Sequence, residues 1–212
     1  MIATDFQNLQ NDTAVIILAA GSSSRLGKPK QLLEYQQETL IKHAVKTALL
    51  ISKTVIVVTG FLHEEIIEEL KTLELQIVHN PDWQEGMGSS IQTGIKYLQQ
   101  LKSVKQINSA MILLSDQPLI SAEHLQKLRS QFYLDKRSIA ATGYAETEGV
   151  PAVFHKKLFP VLQNLPGNRG AQWLFKKYPD QLTIVPFEGA AIDVDTKEDY
   201  LRLLQLVENQ PE

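Results

Sequence analysis

Residues 14–18 (AVIIL), 54–58 (TVIVV) and 111–114 (MILL) are apolar or β-branched at every position. A strand with one wet face alternates between apolar and polar residues. An unbroken apolar run demands cover on both faces, as in a parallel sheet held between layers of helices. Shorter runs at 75–78 (LQIV), 138–141 (SIAA) and 183–185 (TIV) fit further strands. Between the runs, Leu40–Ser52, Glu64–Thr72, Ser89–Lys102, Ala122–Tyr133 and Lys156–Asn164 carry the spacing of amphipathic helices, as do Gln172–Tyr178 and Lys197–Val207. The alternation predicts an α/β chain in three layers with a mostly parallel central sheet. In such sheets ligands bind beyond the carboxyl ends of the strands, which says where chemistry is to be sought.

Composition narrows the classes. At 212 residues the chain can bury a core without staples, and the lack of cysteine removes disulfides, thiolate metal sites and a cysteine nucleophile. Its 21 basic and 24 acidic residues, net charge −3, are interspersed and offer no basic stripe and no polybasic patch. No nucleic-acid or membrane partner is therefore expected, and an anionic ligand has to be met by a local site. The apolar run Ala14–Ala20 falls well short of the roughly 20 residues that span a bilayer, and residues 1–12 lack the basic start and apolar stretch of an export signal. A cytoplasmic location is expected. Residues 1–12 read as a loose tail and 13–208 as a single domain, with turn-rich insertions at Gly143–Val150 and Leu165–Gly170 marking a lobe from about 138 to 189.

The first strand runs directly into Gly21-Ser22-Ser23-Ser24-Arg25-Leu26-Gly27-Lys28-Pro29-Lys30. Small residues there leave backbone N–H groups exposed and cations follow closely, which makes a cradle for polyphosphate. It is not the P-loop. Five residues instead of four separate Gly21 from Gly27, and Pro29 stands where a Ser or Thr hydroxyl would hold magnesium.

Asp116 follows Met111–Leu114 at the point where a parallel strand opens toward a ligand, and Pro118 stops the strand. A carboxylate there can hold Mg²⁺ against phosphates, although Asp-x-Pro is also a common turn. The stretch from His79 to Ser90 leaves a strand and enters a helix. Ser89 and Gln92 have capping-box spacing, and the same turn offers Asn80, Gly88, Ser89 and Ser90 to a base or phosphate, while Trp83 and Met87 read as packing residues. Near the end Thr196 and Asp199 form a second capping box. It does not explain Asp193, which alternates with Asp195 on an extended segment, so one of the two is the candidate to join Asp116 on a metal. No pair among the five histidines has metal-ligand spacing, and no G-x-S-x-G is present.

The segment Leu18-Ala19-Ala20-Gly21-Ser22-Ser23-Ser24-Arg25-Leu26-Gly27-Lys28-Pro29-Lys30-Gln31-Leu32-Leu33 resembles the signature of the nucleotidyltransferase superfamily with a Rossmann-like core. The likeness extends through Glu85–Ser90 (EGMGSS), Ser115–Pro118 (SDQP), Gly149–Phe154 (GVPAVF) and Asp193–Tyr200 (DVDTKEDY), from about Ala14 to Leu204. Within the superfamily the chain most resembles the molybdopterin cytidylyltransferases, of the MobA-like group.

The resemblance implies roles. Arg25, Lys30 and Asp116 would be catalytic, the two cations neutralising a triphosphate. Asp116, with Asp193, would hold Mg²⁺, the expected cofactor. Leu18, Ala19, Ala20, Gly21, Ser22, Asn80, Gly88, Ser89 and Ser90 would bind the nucleotide, and Pro151 and Arg169, in an acceptor-facing lobe, the second substrate. Ala19-Ala20-Gly21 resembles members that use CTP, whereas the guanylyltransferase branch has Ala-Gly-Gly. The chain departs from the pattern at Asn168, where the family often has an acidic residue, and at Gln172, where it has Arg. The implied reaction is attack by the phosphate of molybdopterin on the α-phosphorus of CTP, with pyrophosphate leaving and a molybdoenzyme as a possible recipient of the product. A different phosphomonoester acceptor, or a non-catalytic cofactor chaperone, are the alternatives.

Overall fold

Along β1 (Thr13–Ala19) every residue is buried, with Ala14, Ile16 and Leu18 entering one core and Val15, Ile17 and Ala19 the other. That two-sided burial is what the unbroken apolar run demanded. The computed structural model describes residues 12–22 and 28–208. After β1 come β2 (Glu34–Tyr35), β3 (Glu38–Thr39), α1 (Leu40–Leu49), β4 (Val55–Thr59), α2 (His63–Leu70), β5 (Gln76–His79), α3 (Met87–Gln100) and β6 (Ser109–Leu114). The chain continues with α4 (Ala122–Asp135), β7 (Ile139–Tyr144), β8 (Thr147–His155), α5 (Phe159–Leu162), α6 (Gln172–Lys177), β9 (Leu182–Pro186) and α7 (Lys197–Glu208).

The sheet runs β5-β4-β1-β6-β8-β7-β9. β5, β4, β1 and β6 are parallel, with Ile16 beside both Ile56 and Ile112, and β9 is parallel to β7. Only β8 runs against its neighbours. One face is covered by α3, α5 and α6 through Ile91, Ile95, Phe159, Leu174 and Phe175, the other by α1, α2 and α4 through Ile41, Ile66, Leu125 and Phe132. Each such side chain contributes roughly 1.5–3 kcal/mol when fully buried. At Gly94 an added Cβ would lie 2.6 Å from Cγ2 of Ile16, so α3 rests directly on β1. Among the described residues no helix is long and apolar enough to cross a membrane.

The region 138–189, expected to carry turn-rich insertions at Gly143–Val150 and Leu165–Gly170, contributes β7, β8 and β9 to the central sheet. Gly143–Val150 is the tip of a β7–β8 hairpin in which Tyr144 pairs with Thr147 and the two turn residues, Ala145 and Glu146, have φ of 45° and 59°. This turn geometry favours Asn-Gly or Asp-Gly, so Ala-Glu gave no signal. A proline is unusual inside a buried strand, yet β8, with Pro151 in it, is buried from Gly149 to Phe154 and pairs with β6, so this region completes the central sheet. α7 packs with the β2–β3 hairpin through Tyr35, Leu40, Val194 and Leu203.

Candidate active site

β1 and β6 end side by side, and beyond their carboxyl ends lies a cleft of about 320 Å³. It is lined by Leu18, Ala19, Ala20, Gly21 and Ser22, by Lys30 and Gln31, by Trp83, Gln84, Gly86, Met87 and Ser90 at the entry to α3, and by Leu114, Ser115 and Asp116. The five residues expected at the nucleotide from the first strand thus share one wall. Gln31 had drawn no attention in the sequence. It is buried, and its Nε2 donates to the carbonyls of Ala19 at 3.3 Å and Gly21 at 2.7 Å, which clamps the turn leaving β1. Arg25 lies outside the described residues.

The charged centre is Lys30. Its Nζ donates to Asp116 Oδ2 and, at 2.8 Å, to Asp195 Oδ1. Burial works against its charge, but the carboxylates of Asp116 and Asp195 outweigh burial and hold its pKa above the usual lysine range. The ammonium is therefore fixed as a cation facing the cleft. Two bonds bring the distant aspartates here: Val194 N donates to the Asp116 carbonyl at 3.0 Å, and Gln117 Nε2 to the Ala190 carbonyl at 3.1 Å. Asp116 and Gln117, just beyond β6, thereby staple the segment before α7 onto the site.

Asp193 feels that crowding. Burial first, then the charge of Asp116, pushes its carboxyl up to about 6. Oδ1 of Asp116 and Oδ1 of Asp193 are both buried without a hydrogen-bond partner. An ionised carboxylate oxygen only accepts, so the partner these atoms call for is a cation or a donor carried by a ligand. Among the described residues no three acidic or histidine side chains gather in a metal-binding group. Hard divalent cations, however, are commonly held by one or two carboxylates plus substrate phosphates. Asp193 also lines a neighbouring cavity of about 480 Å³ with Asp199 and Arg202.

At the entry to α3 the structure redistributes the expected roles. Asn80, Gly88 and Ser89 do not line the cleft. Asn80 is 1% exposed, and its Nδ2 donates to Ser89 Oγ at 2.9 Å and Ser90 Oγ at 3.0 Å. Ser89 Oγ donates to the carbonyls of Asp82 and Gly86, and the residue preceding α3 is Gly86 with no side-chain cap, so the predicted Ser89–Gln92 capping box does not form. Of this group Ser90 faces the cleft, with its oxygen engaged by Asn80 and its hydrogen free of any acceptor among the described residues. Asn80 is thus a positioning residue for Ser90. Conversely Trp83 and Met87, expected to be packing residues, line the cleft, and Met87 is 42% exposed.

Gly86 and Gly88 serve a neighbouring loop. Gly86 has φ of 112°, and Gly88 N donates to the Gly167 carbonyl at 2.8 Å. A Cβ on Gly88 would meet the Pro166 carbonyl at 2.2 Å. The loop 165–170, which carries exposed Arg169, is therefore seated on the start of α3 by direct backbone contact. Pro151 lies buried in β8, its carbonyl accepting from Thr142 Oγ1 at 2.7 Å, and neither it nor Arg169 lines the cleft. The second capping box does form: Thr196 N donates to Asp199 Oδ2 at 2.9 Å and Asp199 N to Thr196 Oγ1 at 3.2 Å.

Residues 15–182 match the model of the MobA-like NTP transferase domain. The chain belongs to that family. It is a nucleotidyltransferase, and its cleft lies beside Lys30 and Asp116. Among curated relatives, nicotine blue oxidoreductase of Paenarthrobacter nicotinovorans is 31% identical over 199 residues, covering 89% of this chain and 95% of that protein. Molybdenum cofactor cytidylyltransferase of Escherichia coli K12 is 35% identical over 85 residues, covering 40% of this chain and 44% of its own. Among solved structures, a homologue of Mycobacterium tuberculosis Rv0371c from Mycobacterium sp. strain JC1 superposes with a TM-score of 0.77 at 27% identity, over 95% of this chain and all of that one.

Proposed function

We propose that this MobA-like nucleotidyltransferase transfers CMP from CTP to the phosphate of molybdopterin or its molybdenum-loaded form, releasing pyrophosphate. The observation that carries the reading is the Lys30 ammonium held between Asp116 and Asp195 at the mouth of β1 and β6. Its support for cytidylyl transfer is the Ala19-Ala20-Gly21 corner lining the cleft and the likeness to the E. coli cytidylyltransferase.

Both reactants are anions, so the chain's task is charge neutralisation and in-line positioning, with little call for a proton-transfer residue. Lys30 sits where it can meet the negative charge that builds on the transferring phosphate, and the turn after β1 offers backbone N–H groups. Ser90 supplies a hydroxyl donor, and Trp83 with Met87 supplies an apolar surface on which a base can lie. The orphaned oxygens of Asp116 and Asp193 suit Mg²⁺ as the cation. When bound, it would neutralise triphosphate charge as a Lewis acid.

The test is purified protein with Mg²⁺, each of the four nucleoside triphosphates, and molybdopterin with or without molybdenum, scored by pyrophosphate release. Release with CTP that needs molybdopterin supports the reading, and none with any pairing refutes it. The near full-length likeness to nicotine blue oxidoreductase favours a second reading, reduction of a conjugated heterocycle. Bleaching of nicotine blue by the protein and a two-electron reductant would support that reading.

A further inference from the structure

At the opposite end of the sheet from the nucleotide cleft, a second cavity of about 330 Å³ is lined by Asn108, Phe132, Tyr133, Lys136, Arg137 and His155. It flanks the pairing of Ser109 with His155, where β6 begins, and β6 then runs for about 17 Å before it reaches the Asp116 end. Among the described residues no Asp or Glu lines it, although the chain as a whole carries net negative charge.

The polar groups around it are arranged as donors. Lys156 Nζ donates to Asn108 Oδ1 at 2.7 Å, which occupies the acceptor of that amide and leaves its NH₂ for a ligand. His155 Nδ1 accepts from Lys157 N at 3.1 Å, which places the hydrogen of the neutral ring on Nε2. Lys136, in the left-handed position that ends α4, and Arg137, whose Nη1 donates to the Leu182 carbonyl, bring two cations to the rim. Two carboxylates lie nearby: Asp135 is engaged by Gln131 and Thr183, and Asp12, which accepts from Thr13 Oγ1, lies against the Tyr133 hydroxyl. Phe132 and Tyr133, ring edge to face at 5.0 Å, complete the lining. Burial, with the charges of Lys157 and Lys156, holds the His155 pKa below the ordinary histidine range.

We propose that this cavity is a second anion-binding site, separate from the nucleotide cleft, for a compact phosphate-bearing small molecule. Arg137 and Lys136 meet the phosphate oxygens, and the Asn108 amide and His155 Nε2–H supply neutral donors.

The probe is inorganic pyrophosphate, titrated without divalent cations into the full chain while the His155 ring and Asn108 side-chain amide are followed by NMR. A saturable shift of both signals is expected. In the Lys136→Gln/Arg137→Gln double variant the dissociation constant read at His155 should rise at least tenfold, with native circular dichroism and an unchanged basal transferase rate. Shifts that chloride reproduces at equal ionic strength, that persist in the double variant, or that arise only with an acidic peptide would overturn the proposal. Because the readout sits at His155, its failure is distinguishable from failure of the transferase reading, which pyrophosphate release reports.

Discussion

Lys30 is the residue on which the site's charge balance turns, since it is the cation bonded to two aspartates and faces the cleft. Lys30→Ala and Asp116→Asn should each lower turnover by about 10²-fold or more, as removal of a preorganised electrostatic group does. Steady-state kinetics on variants with native circular dichroism check this, and near-normal turnover would refute the assigned roles. Asp193 makes a second, opposite case. Its carboxyl is raised from 3.8 to about 6, so ionising it costs the folded state. That penalty is complete above pH 6, shrinks as pH falls toward 3.8, and vanishes below it. Asp193→Asn should therefore stabilise the protein at pH 7–8 by about 1–2 kcal/mol after allowance for solvent screening, or roughly 2–6 °C in melting temperature. The gain should disappear near pH 4 while transfer activity falls. On the proposed cytidylyl-transfer reading Ala20 borders the base: it lines the cleft, and its carbonyl is fixed by Phe61 N at 3.2 Å. One methyl discriminates by roughly 1–3 kcal/mol. Ala20→Gly should thus raise GTP use relative to CTP without abolishing CTP use, and an unchanged ratio in competition assays would remove Ala20 from the base pocket.

At the scale of elements, the contact between the start of α3 and the loop 165–170 ties that loop to one wall of the cleft. Both partners at the contact are backbone, so nothing flexible can yield to an added methyl. Gly88→Ala, with its Cβ 2.2 Å from the Pro166 carbonyl and 2.8 Å from that of Arg169, should force the loop away. The expected cost is about 2–3 kcal/mol in urea unfolding. If the loop carries the acceptor, the apparent KM for the acceptor should rise more than that for the nucleotide. Loss of stability with both constants unchanged would make the contact structural alone.

Across the whole molecule, α4 is tied to β7 by a buried histidine. His124 stacks on Phe187 at 4.3 Å, and its Nε2 lies 2.8 Å from Thr142 Oγ1. The Thr142 hydroxyl gives its hydrogen to the Pro151 carbonyl, so His124 is the donor in the pair. Burial lowers its pKa to about 4, which means the fold holds the neutral ring. The stability that it contributes is full above the unfolded value of about 6.5 and is lost as pH falls toward 4. Between pH 6 and 4 this loss is about 2 kcal/mol, close to the relief at Asp193 over the same interval, so the two nearly offset one another in the wild type. In an Asp193→Asn background, urea denaturation should show stability falling across that interval, with a flatter profile once His124→Gln is added. An equally steep decline in the variant would assign acid lability to other groups.

The sequence by itself determined the layering and the phosphate end of the site. Unbroken apolar strands can be satisfied only between two helical layers, and a Gly-Ser turn followed by Lys30 carries its chemistry in consecutive residues. The Thr196–Asp199 cap was legible for the same reason, since its partners are three residues apart. Only the tertiary structure decided that Asp195, far along the chain, shares Lys30 with Asp116, and that Asn80 turns inward to hold Ser90 while Trp83 and Met87 face the cleft. Periodicity says that a residue is half-buried but not against what, and both a cleft wall and a core interior satisfy the same pattern. β8 escaped notice because a proline and an Ala-Glu turn erase the local signals of a strand and a hairpin. Its place was set instead by the open edge of β6, whose backbone groups required a partner once buried.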